Sequence, residues 1–171
     1  RWAGNCSSRG LAFFPRTHSP GESNYLPIEN VVINEVLTHS DPPFEDAVEF
    51  YNSGPAPSDI SGWWLSDEKS ALQKHQIPPN TSVPAGGYLV LYENQFNPAP
   101  GVPASFAFNS ARGDSVHLSQ PGAGGTLTGW RAVAGFGPSA NGVAFGRFLT
   151  SIGAEFVALS RHTFGVAAPT S

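Results

Sequence analysis

Val31-Val32-Ile33-Asn34-Glu35-Val36-Leu37 runs between Asn30 and the turn-forming stretch Thr38-His39-Ser40-Asp41-Pro42-Pro43. Four of its seven residues are β-branched and turn formers close both ends, so it reads as a strand. Working outward, Ala47 to Tyr51 reads as a second strand, ended by Asn52-Ser53-Gly54-Pro55. Trp63 to Ser66 is a third, introduced by Ser61-Gly62. Residues 67–76 are polar and read as a loop leading into a short strand. Ile77-Pro78-Pro79-Asn80-Thr81 cannot lie in a central strand, because its prolines lack the N–H that a ladder needs. Tyr88 to Tyr92 follows the turn Pro84-Ala85-Gly86-Gly87 and reads as a buried strand. A proline-rich loop at 94–104 follows.

Phe106 to Phe108 is strand-like, and Ser115 to Ser119 alternates polar and apolar residues with period two, as a half-buried strand should. Gly122 to Gly125 is a turn. Gly129 to Phe136, Val143 to Phe148 and Phe156 to Leu159 complete the series. No helical apolar stripe exceeds two turns. Short strands separated by turns predict an all-β sandwich over residues 30–166. Residues 1–29 read as an irregular N-terminal extension or the end of a preceding module, with one short strand around Leu11, Phe13 and Phe14, and 167–171 as a tail.

Composition agrees. Charged residues make up only 13% of 171 residues, while Gly (19) and Pro (16) are abundant, a balance that favours turns over helices. The net charge of −4 argues against general nucleic-acid binding, which needs a basic face. No apolar run is long enough for a spanning helix, and the start lacks a signal-peptide pattern. The absence of Met suggests a mature or excised segment, and Cys6, the single cysteine, cannot form an intrachain disulfide.

Five blocks carry a resemblance. Val32-Ile33-Asn34-Glu35-Val36, Asp46-Ala47-Val48-Glu49-Phe50-Tyr51-Asn52, Asp59-Ile60-Ser61-Gly62-Trp63-Trp64-Leu65-Ser66-Asp67, Ile77-Pro78 through Pro84-Ala85-Gly86-Gly87-Tyr88-Leu89-Val90, and Ser110-Ala111-Arg112-Gly113-Asp114-Ser115-Val116-His117-Leu118 occur in that order. Together they resemble bacterial lamin-tail domains, over roughly residues 31–165. The resemblance implies an immunoglobulin-like β-sandwich, found as repeats or appendages of large exported proteins, with no agreed catalytic residues. It thereby implies a non-catalytic interaction or structural module, extracellular or at the cell surface, whose partners are neighbouring domains or protein subunits, without nucleic acid and without direct membrane insertion. Arg16-Thr17-His18-Ser19-Pro20-Gly21 also looks like the closing Arg161-His162-Thr163-Phe164-Gly165, which would suit a tandem context.

Several residues admit a functional reading beside an ordinary one. Trp63 and Trp64 should point to opposite faces, with Trp63 in the core beside Leu65 and Trp64 outward. An outward Trp64, with Trp130, Phe44 and Arg131, would suit a carbohydrate-binding module that stacks sugar rings. The ordinary reading is an aromatic covered by a loop such as 94–104. In Trp130 to Ala134 the alternation places Trp130, Ala132 and Ala134 on one face and Arg131 and Val133 on the other. Arg131 would then stack on an aromatic or pair with a carboxylate.

Glu35 alternates with Ile33 and Leu37 and is expected to point inward, needing Arg112, Arg147 or backbone N–H groups as partners. Asp41, Asp46 and Glu49 offer oxygens for calcium, without the regular spacing of a dedicated loop. Calcium is the one cofactor the residues suggest. Asp67 is a further acid beside a strand. Arg112-Gly113-Asp114 is read as a turn, with Asp capping it, rather than as an adhesive tripeptide. An unrecognised enzyme would have only the acidic cluster of Glu35, Asp46 and Glu49 to work with.

Overall fold

The structure, a computed structural model, describes residues 25–166 apart from His39 and Ile152. The strand expected around Leu11, Phe13 and Phe14 lies outside these residues. In chain order the elements are β1 (Leu26–Pro27), β2 (Val31–Leu37), β3 (Ala47–Asn52), β4 (Ser58–Asp59), β5 (Trp64–Ser66), β6 (His75–Gln76), β7 (Ser82–Val83), β8 (Tyr88–Tyr92), the one-turn helix α1 (Glu93–Phe96), β9 (Asp114–Pro121), a 3-10 turn at Ala123–Gly125, β10 (Leu127–Phe136), β11 (Ala144–Thr150) and β12 (Gly153–Ala158).

One five-stranded sheet has the order β1-β10-β9-β5-β6 and a second the order β12-β11-β2-β3-β8, while β4 and β7 pair separately. The two five-stranded sheets pack as a sandwich, as the alternating sequence requires. Leu65, Val116, Leu118, Ala134 and Phe136 from the first share one apolar core with Val31, Ile33, Val36, Val48 and Phe50 from the second. The fold is an all-β, immunoglobulin-like sandwich. Leu26 and Pro27, assigned by the sequence reading to the extension, pair in parallel with Trp130 and Arg131, and Ile28 is in the core.

Four local readings change in three dimensions. Tyr88–Tyr92 is an edge strand in which only Leu91 is buried, because β3 covers just one of its sides. Phe106 and Phe108 form no strand, yet both are buried. Phe96 stacks on Phe106 at 5.0 Å, Phe106 meets Phe108 at 5.8 Å and Phe108 meets Phe136 at 5.8 Å, so an aromatic chain pins the proline-rich loop to the core. On β9 the outward residues His117 and Ser119 are buried as fully as the inward ones, because the outer face of that sheet is covered too. The loop after β5 contributes there: Ser66 Oγ donates to the Ala71 carbonyl at 2.8 Å, and Lys74 pairs with Asp67 at 2.7 Å.

Trp130, expected to share a face with Ala132 and Ala134, is 40% exposed while Ala134 is buried. The β9–β10 register shifts between Leu127 and Arg131, where Gly129 has φ +91°, and such a bulge breaks strict alternation.

Candidate functional site

The most deeply buried acids stand on β2 and β3. A bulge between Ile33 and Glu35 inserts Asn34 into β2. Ile33 therefore faces the main core, whereas Glu35 turns with Leu37 to the outer face of the sheet. Its neighbour across the ladder is Glu49, and both are 0% exposed. What covers them is the closing segment of the chain. Thr163 donates its N–H to Glu35 Oε1 at 2.7 Å and its hydroxyl to Glu35 Oε2 at 2.6 Å. Gly165 N–H donates to Glu49 Oε2, and Asn34 Nδ2 donates to Glu49 Oε1 at 2.7 Å.

Side chains seal the segment in place. Phe164 packs on Leu37, Ala47 and Ala144, and the His162 ring lies 5.2 Å from Phe44 and 5.5 Å from Phe164. Burial pushes both carboxyl groups above the usual carboxylate range, and the Thr163 and Gly165 bonds offset part of that rise. Backbone N–H groups, one of the partner types expected for an inward Glu35, thus satisfy it; Arg112 and Arg147 do not.

The remaining candidates are dispersed. Asp41 is exposed and accepts from Asn141 Nδ2 at 2.6 Å, while Asp46 accepts from Ser40 Oγ at 3.2 Å. Among the described residues no three His, Cys, Asp or Glu side chains gather as a metal site, so Asp41, Asp46 and Glu49 are not brought together. Trp63 is buried in the core beside Leu65, and Trp64 is half-buried on the opposite face, as alternation requires. Trp64, Ser119 and Arg131 form one cross-strand row, and Arg131 lies over the Tyr25 ring at 5.1 Å. Phe44, 54% exposed, belongs instead to the closing-segment locus with His162. The four proposed sugar-binding residues therefore occupy at least two separate places.

Arg112-Gly113-Asp114 is a turn. Asp114 Oδ2 accepts the Asn109 N–H at 3.0 Å, and Gly113 has φ +81°. One pair went unforeseen: Ser115 Oγ lies 2.9 Å from His117 Nε2, a separation compatible with a nucleophile and its base. Burial and the nearby Arg131 charge push the His117 pKa down to about 4, and its buried Nδ1 has no partner among the described residues. A weak, unoriented base of this kind does not activate a hydroxyl at neutral pH. The alternation at 115–119 could have flagged the pair, since residues two apart on a strand share a face.

No curated protein and no solved structure matches the chain. A family model described as Lamin Tail Domain matches residues 27–135, from β1 almost to the end of β10. That span holds all five blocks of the resemblance and both buried glutamates, and the sandwich supplies the expected fold. The chain belongs to the lamin tail domain family.

Proposed function

We propose that this immunoglobulin-like sandwich is a non-catalytic interaction or structural module of a larger extracellular or cell-surface protein or assembly. The observation that carries this reading is the use made of its buried acids. Glu35 and Glu49, the groups best placed for acid–base chemistry, bind the chain's own amides and hydroxyl. Their chemistry holds the Thr163–Gly165 segment against the sheet. The strands that bound the sheets, such as β8 and β12, offer backbone groups for pairing with neighbours.

Photo-crosslinking from Leu149 (67% exposed) and Tyr92 (42% exposed), near β12 and β8, tests the reading in the parent protein. Crosslinks to neighbouring domains or subunits are expected. A module that crosslinks to nothing in its assembly overturns it. Carbohydrate binding is the second reading, favoured by the exposure of Trp130 (40%) beside Leu26 (49%) on β1. Tryptophan fluorescence titrated with polysaccharides tests it: no response from any glycan removes this alternative.

A further inference from the structure

Four strands bound the two five-stranded sheets: β1 and β6 the first, β12 and β8 the second. An open edge invites pairing with another chain, and folded proteins blunt their edges with short strands, prolines and charge. β1 and β6 have two residues each, and β1 ends in Pro27. β12 opens on Gly153, at φ +138°, and carries Glu155. β8, Tyr88-Leu89-Val90-Leu91-Tyr92, has no charge, no proline and no glycine, and its ladder with β3 runs without a bulge.

That ladder shows which groups of β8 are open. At its two ends Asn52 N–H donates to the Gly87 carbonyl at 3.0 Å and Glu93 N–H to the Asp46 carbonyl at 2.7 Å. Bonded and non-bonded pairs alternate along an antiparallel ladder. Leu89 and Leu91 therefore bond to Phe50 and Val48, while the N–H and C=O groups of Tyr88, Val90 and Tyr92 point away from β3. Gln95 Oε1 accepts the Tyr92 N–H at 2.9 Å. The outward groups of Tyr88 and Val90 meet no hydrogen-bond partner among the described residues. Leu89 and Leu91 pack on the main core, and Val90 packs in the opposite patch with Phe164. On Val90's side the Tyr88 ring lies 4.9 Å from Tyr51 and the Tyr92 ring 6.5 Å from Phe164.

We propose that β8 pairs antiparallel with β8 of a second copy, about a two-fold axis at Val90, joining the second sheets of two chains into one. The edge itself names the occupant, because Tyr-Leu-Val-Leu-Tyr reads the same in both directions. A two-fold interface must be self-complementary. Here Val90 meets Val90, Leu89 meets Leu91 and Tyr88 meets Tyr92 of the other copy. The two Val90 residues exchange N–H and C=O, and each Tyr88 N–H reaches a Tyr92 carbonyl. Tyrosine pairs across strands add to the stability of the ladder. The first charge beyond the strand, Glu93, falls opposite Gly87 and opposes no acid. Pairing of β8 with β12 would lack this symmetry and leave an open edge at each end, so copies would add without limit.

The pairing rests on the interaction-module reading and names its partner. Analytical ultracentrifugation of the full chain over a range of concentrations tests it. The mass is expected to rise from one chain to two and no further. In hydrogen exchange the Tyr88 and Val90 amides should gain protection as concentration rises, while those of Leu89 and Leu91, already bonded to β3, stay protected throughout. Two double variants fix the register. Tyr88→Lys with Tyr92→Lys sets like charges opposite each other and should weaken the dimer at least about tenfold relative to Tyr88→Glu with Tyr92→Lys, which sets opposite charges there. Both remove the same two rings, so the sign of the charge alone separates them.

A single chain at every concentration, a mass that climbs past two, or concentration-dependent protection on β12 instead of β8 overturns the proposal. So do equal affinities of the two double variants. The exchange result on the unmodified chain decides the matter where either variant fails to fold. A monomer whose Tyr92 still crosslinks to other subunits of the parent assembly removes self-pairing and leaves the module reading standing.

Discussion

Glu35 on β2 and Glu49 on β3 are direct cross-strand neighbours, both wholly buried, and each accepts an N–H from the closing segment. Like charges opposed on a sheet repel. Here three donors from Thr163 and Gly165, with a fourth from Asn34, offset that repulsion. The sheet and the Thr163–Gly165 segment are thereby tied into one unit.

Cutting this tie should be costly. Glu35→Ala leaves the Thr163 N–H and hydroxyl without acceptors, and lost hydrogen bonds to charged groups are worth roughly 1.5–3 kcal/mol each before any relaxation. A loss of about 2–4 kcal/mol is expected in urea denaturation, since the segment can swing out to water and recover part of it. Glu35→Gln, which keeps an acceptor oxygen, should lose less. Hydrogen exchange at the Thr163 and Gly165 amides should speed up in both variants; unchanged protection would show that the segment is held by other contacts.

The pH dependence of stability has two opposed limbs. Burial raises Glu35 and Glu49 above their ordinary 4.5, so the folded chain retains protons there that the unfolded chain has released. Their stabilising contribution is complete below about 4.5 and is lost as pH rises through the raised values. His117 acts oppositely: depressed from 6.5 to about 4, it contributes fully above 6.5 and loses its contribution as pH falls towards 4. Its slope approaches at most about 1.4 kcal/mol per pH unit. His117→Gln should flatten the acid limb between pH 6.5 and 4 while Glu35→Gln leaves that limb in place, as read by urea denaturation at several pH values.

Gly113 is predicted to be intolerant of any side chain. Its φ is +81°, and a Cβ there would lie 2.4 Å from the Phe136 carbonyl oxygen, a backbone atom that cannot swing aside. Gly113→Ala should lower stability by more than about 2 kcal/mol, combining left-handed strain with that clash. A melting temperature within a degree of wild type would contradict this.

Phe96 should anchor the proline-rich loop far more than a one-turn helix would suggest. It is 0% exposed and stacks on Phe106. Phe96→Ala is expected to cost about 3–5 kcal/mol, the range for emptying a buried aromatic site. Limited proteolysis should then cut within residues 97–105 before any other part of the sandwich.

Most strands were legible because their signals are local. Val31–Leu37 and Ala47–Asn52 carry β-branched residues between turn formers, and Asp114–Pro121 carries its alternation in plain sight. Phe106 and Phe108 look like strand in the sequence because aromatic enrichment reports burial as readily as it reports pleating. The sites were less legible. Arg131 on an aromatic was among the expected roles, but its stacking partner Tyr25 lies in a stretch read as extension.

By itself the sequence determined that this chain is a sandwich of the lamin-tail kind, since strand period and turn chemistry act over a few residues and survive without knowledge of the whole. The tertiary structure alone decided where the buried charges went. One inserted residue, Asn34, moved Glu35 from the Ile33 face to the outer face, and the donors that meet it come from Thr163, 128 positions along the chain. A bulge and a contact of that span depend on register and packing between distant strands, which no local pattern encodes.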